Sequence, residues 1–139
     1  MELQEKILDV VRGPHVAAVA TGADGGPAVR NMVLAGFDDM TFVGATGKAS
    51  DKVAQLRKNP NVAIAIWSLK EFMDPYVQFR ATGEVREDRE TKVKYWNPMW
   101  EQYFQSVDNP EFVVLVFRTD EIQHYDPKTG MIPEVWRRS

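Results

Sequence analysis

The chain has 139 residues, 44% of them hydrophobic and 27% charged, which fits one soluble globular domain spanning residues 1–139. A net charge of −3 gives no general attraction for nucleic acid or for an anionic membrane. The lack of cysteine excludes disulfides, thiolate catalysis and cysteine metal sites, and His15 and His124 are too far apart in sequence to suggest a metal centre.

In chain order, Leu3, Ile7, Val10 and Val11 recur at helical spacing, and Gly13-Pro14 ends the pattern. His15 to Thr21 is a small, β-rich apolar run. The cluster Gly22 to Gly26 turns it into a second strand, Pro27 to Leu34. Asp38-Asp39 marks another turn, and Met40 to Gly44 is a third strand. Ser50 to Lys58 reads as a helix, with Ser50 as N-cap and Asn59-Pro60 as the stop. Val62 to Ser68 is nearly continuous in apolar residues, the pattern of a strand covered on both faces. Leu69 to Pro75 is a loop. Tyr76 to Arg86 is a long strand whose Gly83 predicts a bulge or a close backbone approach. Asp88 to Tyr103 is helical with a break near Asn97-Pro98. Phe112 to Arg118 and Ile122 to Tyr125 are the last strands.

Six or seven antiparallel strands with few helices predict a mainly β barrel, not a parallel α/β sheet. The glycines at 22–26 lie in a hairpin turn, so a dinucleotide-binding reading fails on context. No segment approaches the roughly 20 apolar residues of a membrane span. Glu2, Glu5, Lys6 and Asp9 interrupt any leader-like run, so a cytoplasmic protein is expected.

Chemistry concentrates around residues 30–52. Alone, Arg30 reads as a solvated strand arginine. Lys52 sits in a first helical turn, where the helix dipole prefers anions, a conflict that a bound phosphate would remove. Ser50 can cap the helix or donate to that phosphate. Thr46 and Gly47 precede the helix as a small-residue loop whose N–H groups could face an anion, and Ala45 just before them is a further cofactor-binding candidate. Together they describe a phosphate pocket beside an apolar strand, fit for a flat phosphorylated cofactor. Gln78 is a polar position in a strongly patterned strand, either an exposed edge or an amide matching the donor and acceptor edge of such a ring. Trp96, Trp100, Tyr103 and Phe104 read as a core or dimer face. Tyr125 and Trp136 mark a docked tail, with a partner subunit as one possible seat. His124 reads as structural, and no nucleophile–base pair is visible.

From Val16 to Tyr125 the chain resembles the pyridoxamine 5′-phosphate oxidase-like, FMN-binding split barrels, in particular their general stress protein branch. The likeness is carried by Val16-Ala-Ala-Val-Ala-Thr21, Arg30-Asn-Met-Val-Leu34, Ser50-Asp-Lys-Val-Ala-Gln-Leu56, Asn59-Pro-Asn-Val62, Ala81-Thr-Gly-Glu-Val85 and the Trp96-Asn-Pro98 step. It implies a split antiparallel β-barrel and a homodimer with FMN at the subunit interface. It assigns Arg30, Ser50 and Lys52 to the phosphate. Asn31, Met32, Val33 and Gln78 fall to the ring, and Tyr125 is supplied by the other chain. It implies a small oxidoreductase or redox carrier that exchanges electrons with a small molecule. Alternatives are a non-catalytic, stress-related binding protein, or a member using F420 or haem. Asp51 stands where the true oxidases carry an arginine. Met131 and Pro133 stand where they carry an arginine and a histidine for the vitamin, so vitamin B6 oxidation is not expected.

Overall fold

The glycine-rich turn at 22–27 folds the chain back on itself. Gly25 and Gly26 hold φ at +87° and +120°, a region that glycine enters without Cβ strain. The turn joins β1 (Gly13–Thr21) to β2 (Ala28–Gly36) in unbroken antiparallel register, from Thr21 opposite Ala28 to Gly13 opposite Gly36. The computed structural model describes all 139 residues, and the helix before this hairpin, α1 (Leu3–Val11), lies as its spacing predicts.

The elements that follow are β3 (Thr41–Gly47), α2 (Asp51–Lys58), β4 (Asn61–Trp67), β5 (Tyr76–Arg86) and α3 (Arg89–Tyr95). A 3-10 turn (Pro98–Trp100) and α4 (Glu101–Phe104) lead to β6 (Phe112–Arg118), β7 (Glu121–Tyr125) and β8 (Glu134–Arg137). The strands run β4-β1-β2-β3-β6-β5, and β5 pairs back onto β4 to close a six-stranded antiparallel barrel. Strand β7 adds to the start of β5, and β8 adds to β7.

The eighth strand is one difference from the sequence reading. The tail that reads as docked pairs with β7 of its own chain, and Trp136 packs against the barrel core.

Helix α1 plugs one end of the barrel with Ile7, Leu8 and Val11, all buried. Its last turn lies against Gly36, where a Cβ would run into the carbonyl of Val11. Inside the barrel, Val19, Leu34, Phe42, Ile64, Leu115 and Phe117 are buried. Burying each such side chain contributes about 1.5–3 kcal/mol. Gly83 answers the choice its position posed. The β5–β6 ladder runs through it without a bulge, and an added Cβ would sit 2.9 Å from both Leu56 and Phe117. It is there for the close approach of α2.

The outer faces of β3 and β6 carry Val43, Val114 and Val116, which are covered by Trp100, Phe112 and the half-buried Trp96 and Phe104. Every residue of β6 but Arg118 is therefore buried. Tyr103 does not join this cluster; it is exposed, because the break at Asn97-Pro98 resets the helical phase. Strand β4 also departs from expectation. Ala63 and Ala65 are exposed, since nothing in this chain packs over that face.

One seam of the barrel is incomplete. Strands β2 and β3 pair only at Ala35–Val43 and Gly36–Phe42. Beyond that they diverge, leaving β2 from Ala28 to Leu34 and β3 from Gly44 to Gly47 without partners across the gap. Backbone N–H and C=O groups are obligatory hydrogen-bonding groups, so this split presents a row of them.

Candidate functional site

At the open end of the split, β1, β2, β3 and α2 converge on two cations. Arg30 follows Met32 and Leu34 on the inward face of β2, by the two-residue period of a strand. Its guanidinium donates to Thr21 Oγ1 at 2.7 Å, the Val19 carbonyl at 3.3 Å and Gln55 Oε1 at 2.8 Å. Thr21, itself buried, donates to the same Gln55 oxygen at 2.5 Å. Lys52 reaches back from the first turn of α2 and donates to Thr46 Oγ1 at 3.0 Å. Thr46 in turn donates to Ser50 Oγ at 3.3 Å.

Neither Arg30 nor Lys52 makes an ion pair, although both are half-buried. Burial holds the Lys52 ammonium below the usual lysine range. The charge of Arg30 lowers it further, against a smaller opposing effect of Asp51. Asp51 is exposed and makes no ion pair. Two like charges placed together with no carboxylate in contact cost free energy in the free protein, and a bound anion would remove that cost. Ser50 occupies the N-cap position of α2, but its hydroxyl does not cap the helix. It accepts from Thr46, and its own hydrogen is left to donate to another partner.

Several expected site residues thus come together: Arg30, Thr46, Ser50 and Lys52 at the end of the split, with Asn31, Met32 and Val33 along β2 and Ala45 on β3. Thr46 and Gly47 differ in kind from the expectation. They are the last residues of β3, paired with Val113 and Phe112, so Thr46 offers its hydroxyl and not a loop of free N–H groups. On β2, Asn31 and Val33 face outward and Met32 faces the core.

Gln78 and Tyr125 lie elsewhere. Gln78 donates to Tyr125 Oη at 3.3 Å and to Gln123 Oε1 at 3.1 Å. Directly opposed residues run Asn31, Ala18, Ala65, Gln78 and Gln123 across five strands. Three strand spacings, about 14 Å, therefore separate Gln78 from the split strand of its own chain. Gln78 stands instead at the side of an open trough of about 790 Å³, floored by Ala18, Ala20, Ala63 and Ala65. Arg80 and Arg118, neither in an ion pair, line it too.

His124 is buried, and burial keeps its imidazole below the usual histidine range. No side-chain hydrogen bond links it to an acid or a nucleophile. Met131 is exposed before β8 and Pro133 immediately precedes that strand, and neither side chain carries a cationic or imidazole group.

Sequence reasoning missed Thr21, Gln55 and the alanine floor. Alternate small residues in Ala18-Val-Ala20 and Ala63-Ile-Ala65 were the available signal for the floor. Nothing local to Thr21 or Gln55 announces their pairing with Arg30, because it joins three separate elements.

Residues 3–126 match the family model described as pyridoxamine 5′-phosphate oxidase. General stress protein 26 of Bacillus subtilis (strain 168) is 29% identical over 123 residues, covering 88% of this chain and 87% of that protein. The crystal structure of general stress protein 26 from Bacillus anthracis superposes with a TM-score of 0.81 at 25% identity, covering 99% and 100% of the two chains. The same fold occurs in a pyridoxamine 5′-phosphate oxidase-related, FMN-binding protein from Nostoc punctiforme, with a TM-score of 0.67 at 16% identity over 90% and 81% of the chains. Because the match runs through every element but the last strand, the chain belongs to the pyridoxamine 5′-phosphate oxidase family.

Proposed function

We propose that this protein binds FMN as a small oxidoreductase or redox carrier, in a two-fold dimer that completes each site. The observation that carries the reading is the pair Arg30 and Lys52, two half-buried cations at the mouth of the split that make no ion pair. A phosphate dianion matches them, with the hydroxyls of Thr46 and Ser50 as further hydrogen-bonding groups. The unpaired edges of β2 and β3 offer backbone donors and acceptors to a flat heterocycle. The residues present therefore fit the cofactor.

FMN, when bound, supplies hydride and single-electron transfer. The protein's part is to hold and orient it and to exclude water. No acid–base residue is assigned. With Met131 and Pro133 where a vitamin phosphate would need cationic and imidazole groups, oxidation of pyridoxamine phosphate is not part of the proposal.

The second copy is proposed to lie on the alanine trough. Exposed alanines on a regular strand allow close backbone approach, and two strands with one bare apolar side are a surface that a copy of the same chain can cover. Gln78 and Tyr125, too far from their own split, are then available to the partner's. No helix is long and apolar enough to cross a membrane.

The deciding experiment is the absorbance spectrum of cofactor released from purified protein by denaturation. Flavin bands with a phosphorylated chromatographic identity are expected. An F420 or haem spectrum, or failure of the stripped protein to take up FMN, would overturn the reading. Turnover with NADH or NADPH and an acceptor separates an oxidoreductase from a non-catalytic binder.

A further inference from the structure

The loop between β4 and β5 turns three large apolar side chains to solvent. Leu69 is 57% exposed, Phe72 86% and Met73 41%. They do not hang on a slack chain. Asp74 Oδ2 accepts from Ser68 Oγ at 2.8 Å and from the Glu71 N–H at 3.2 Å, and the Asp74 N–H donates to the Glu71 carbonyl at 3.1 Å. Leu69 is held at φ +65°, a left-handed conformation that a side chain with a Cβ resists. Such strain persists only where the surrounding structure imposes it, and it marks functional segments. The loop is built to hold Phe72 away from its own core, and clustered exposed apolar groups mark interaction sites.

Strand register sets where this loop points in the dimer proposed above. Asn31 and Gln78 lie in one row across β2, β1, β4 and β5. A two-fold that sets Gln78 against the partner's Asn31 exchanges two points of that row, so its axis runs along the strands, between β1 and β4. Three antiparallel ladders separate β2 from β5, so the two strands run in opposite directions. Phe37, six residues after Asn31, and Phe72, six before Gln78, therefore lie toward the same end. The loop of one copy then meets the end of β2 in the other.

That end presents matching groups. Phe37 is 38% exposed, and its ring lies 5.4 Å from that of Tyr95. Lys94, next to Tyr95, makes no ion pair, and neither does Glu71, next to Phe72. An exposed ring beside an unpaired anion thus faces an exposed ring beside an unpaired cation.

We propose that residues 68–75 of each copy pack on the end of β2 in the other, Phe72 on the partner's Phe37 and Glu71 with the partner's Lys94. The contact is made twice in a two-fold dimer. It sets the loop of one chain beside the closed end of the other's split, where Ala35 pairs with Val43. The contact rests on the dimer proposed above.

The chain has no cysteine, so introduced cysteines report proximity cleanly. Phe72→Cys and Phe37→Cys chains are co-expressed and treated with a short bis-maleimide. A covalent dimer on a denaturing gel is expected from the mixture and not from either variant alone. Both positions are exposed, so neither change opens the core. Glu71→Lys and Lys94→Glu should each weaken dimerisation about tenfold in analytical ultracentrifugation, because reversal makes two like-charge contacts per dimer, and the double exchange should restore it. A dimeric parent without the mixed cross-link, a link within one variant alone, or a double exchange no better than the single changes would overturn the loop contact and leave the trough as the interface. A monomeric parent would remove the dimer and the loop contact together. FMN uptake is read on the same samples, and the mixed cross-link without FMN uptake keeps the contact and removes the flavin reading.

Discussion

Arg30 donates to Gln55 Oε1 at 2.8 Å, so the central strand of the site is tied to helix α2 by a neutral acceptor and not by a carboxylate. The neutrality of that acceptor leaves the cation its charge for a ligand. Gln55→Glu keeps the shape and supplies an internal counter-ion. We expect it to fold at least as stably as the parent and to weaken FMN about tenfold, since hydrogen bonds to charged groups are worth roughly 1.5–3 kcal/mol. Riboflavin, which has no phosphate, should bind both proteins alike. Undiminished FMN affinity in a fluorescence titration would show that Arg30 does not meet the phosphate.

Lys52 predicts a pH dependence. Burial and Arg30 lower its folded pKa, while the unfolded chain keeps an ordinary lysine. The unfolded state then binds more protons between the two values, so ligand-free stability rises with pH across that alkaline window. A phosphate dianion favours the charged lysine and raises its pKa. FMN affinity should therefore be level below the free protein's Lys52 pKa and fall as pH rises through it. Lys52→Arg, which stays protonated, should abolish the fall. A parent profile that stays flat into the alkaline range would separate Lys52 from the phosphate.

His124 acts in the opposite pH range. Burial, with a smaller contribution from Lys6, holds its pKa below the ordinary value of 6.5, against the opposing charges of Glu134 and Asp126. The unfolded histidine protonates first as pH falls. Stability is therefore full above about pH 6.5 and is lost as pH drops from there to the folded pKa. His124→Gln should flatten that part of the stability curve in urea denaturation. The same slope in the variant would assign it to other groups.

Ala65 reports on assembly. It is exposed at the centre of the trough, between Ala18 and Gln78 in the ladder. Ala65→Asp places a charge where the second copy is proposed to pack, without touching the barrel interior. Light scattering should show a dimeric parent and a monomeric variant, and FMN binding should weaken with the dimer. A monomeric parent that holds FMN tightly would require the whole site to be built from one chain.

Local patterns determined much of this protein. Helical spacing in Leu3 to Val11, glycines at 22–26 and the Asn59-Pro60 stop are properties of short segments, and they set α1, the first hairpin and the end of α2. Arg30, Ser50 and Lys52 were legible as a group because a strand and a helix start lie close in sequence. Three outcomes were decided only by tertiary structure. Whether β4 is covered depends on what packs over it, and its alanines are equally apolar in either case. Whether β2 and β3 stay paired depends on β3 following β6 away from the hairpin, which opens the split after two pairs. Gln78 has the chemistry of a ring-binding amide at any position. Barrel closure put it three strands from Arg30's strand, because sheet order, and not distance along the chain, sets which side chains meet.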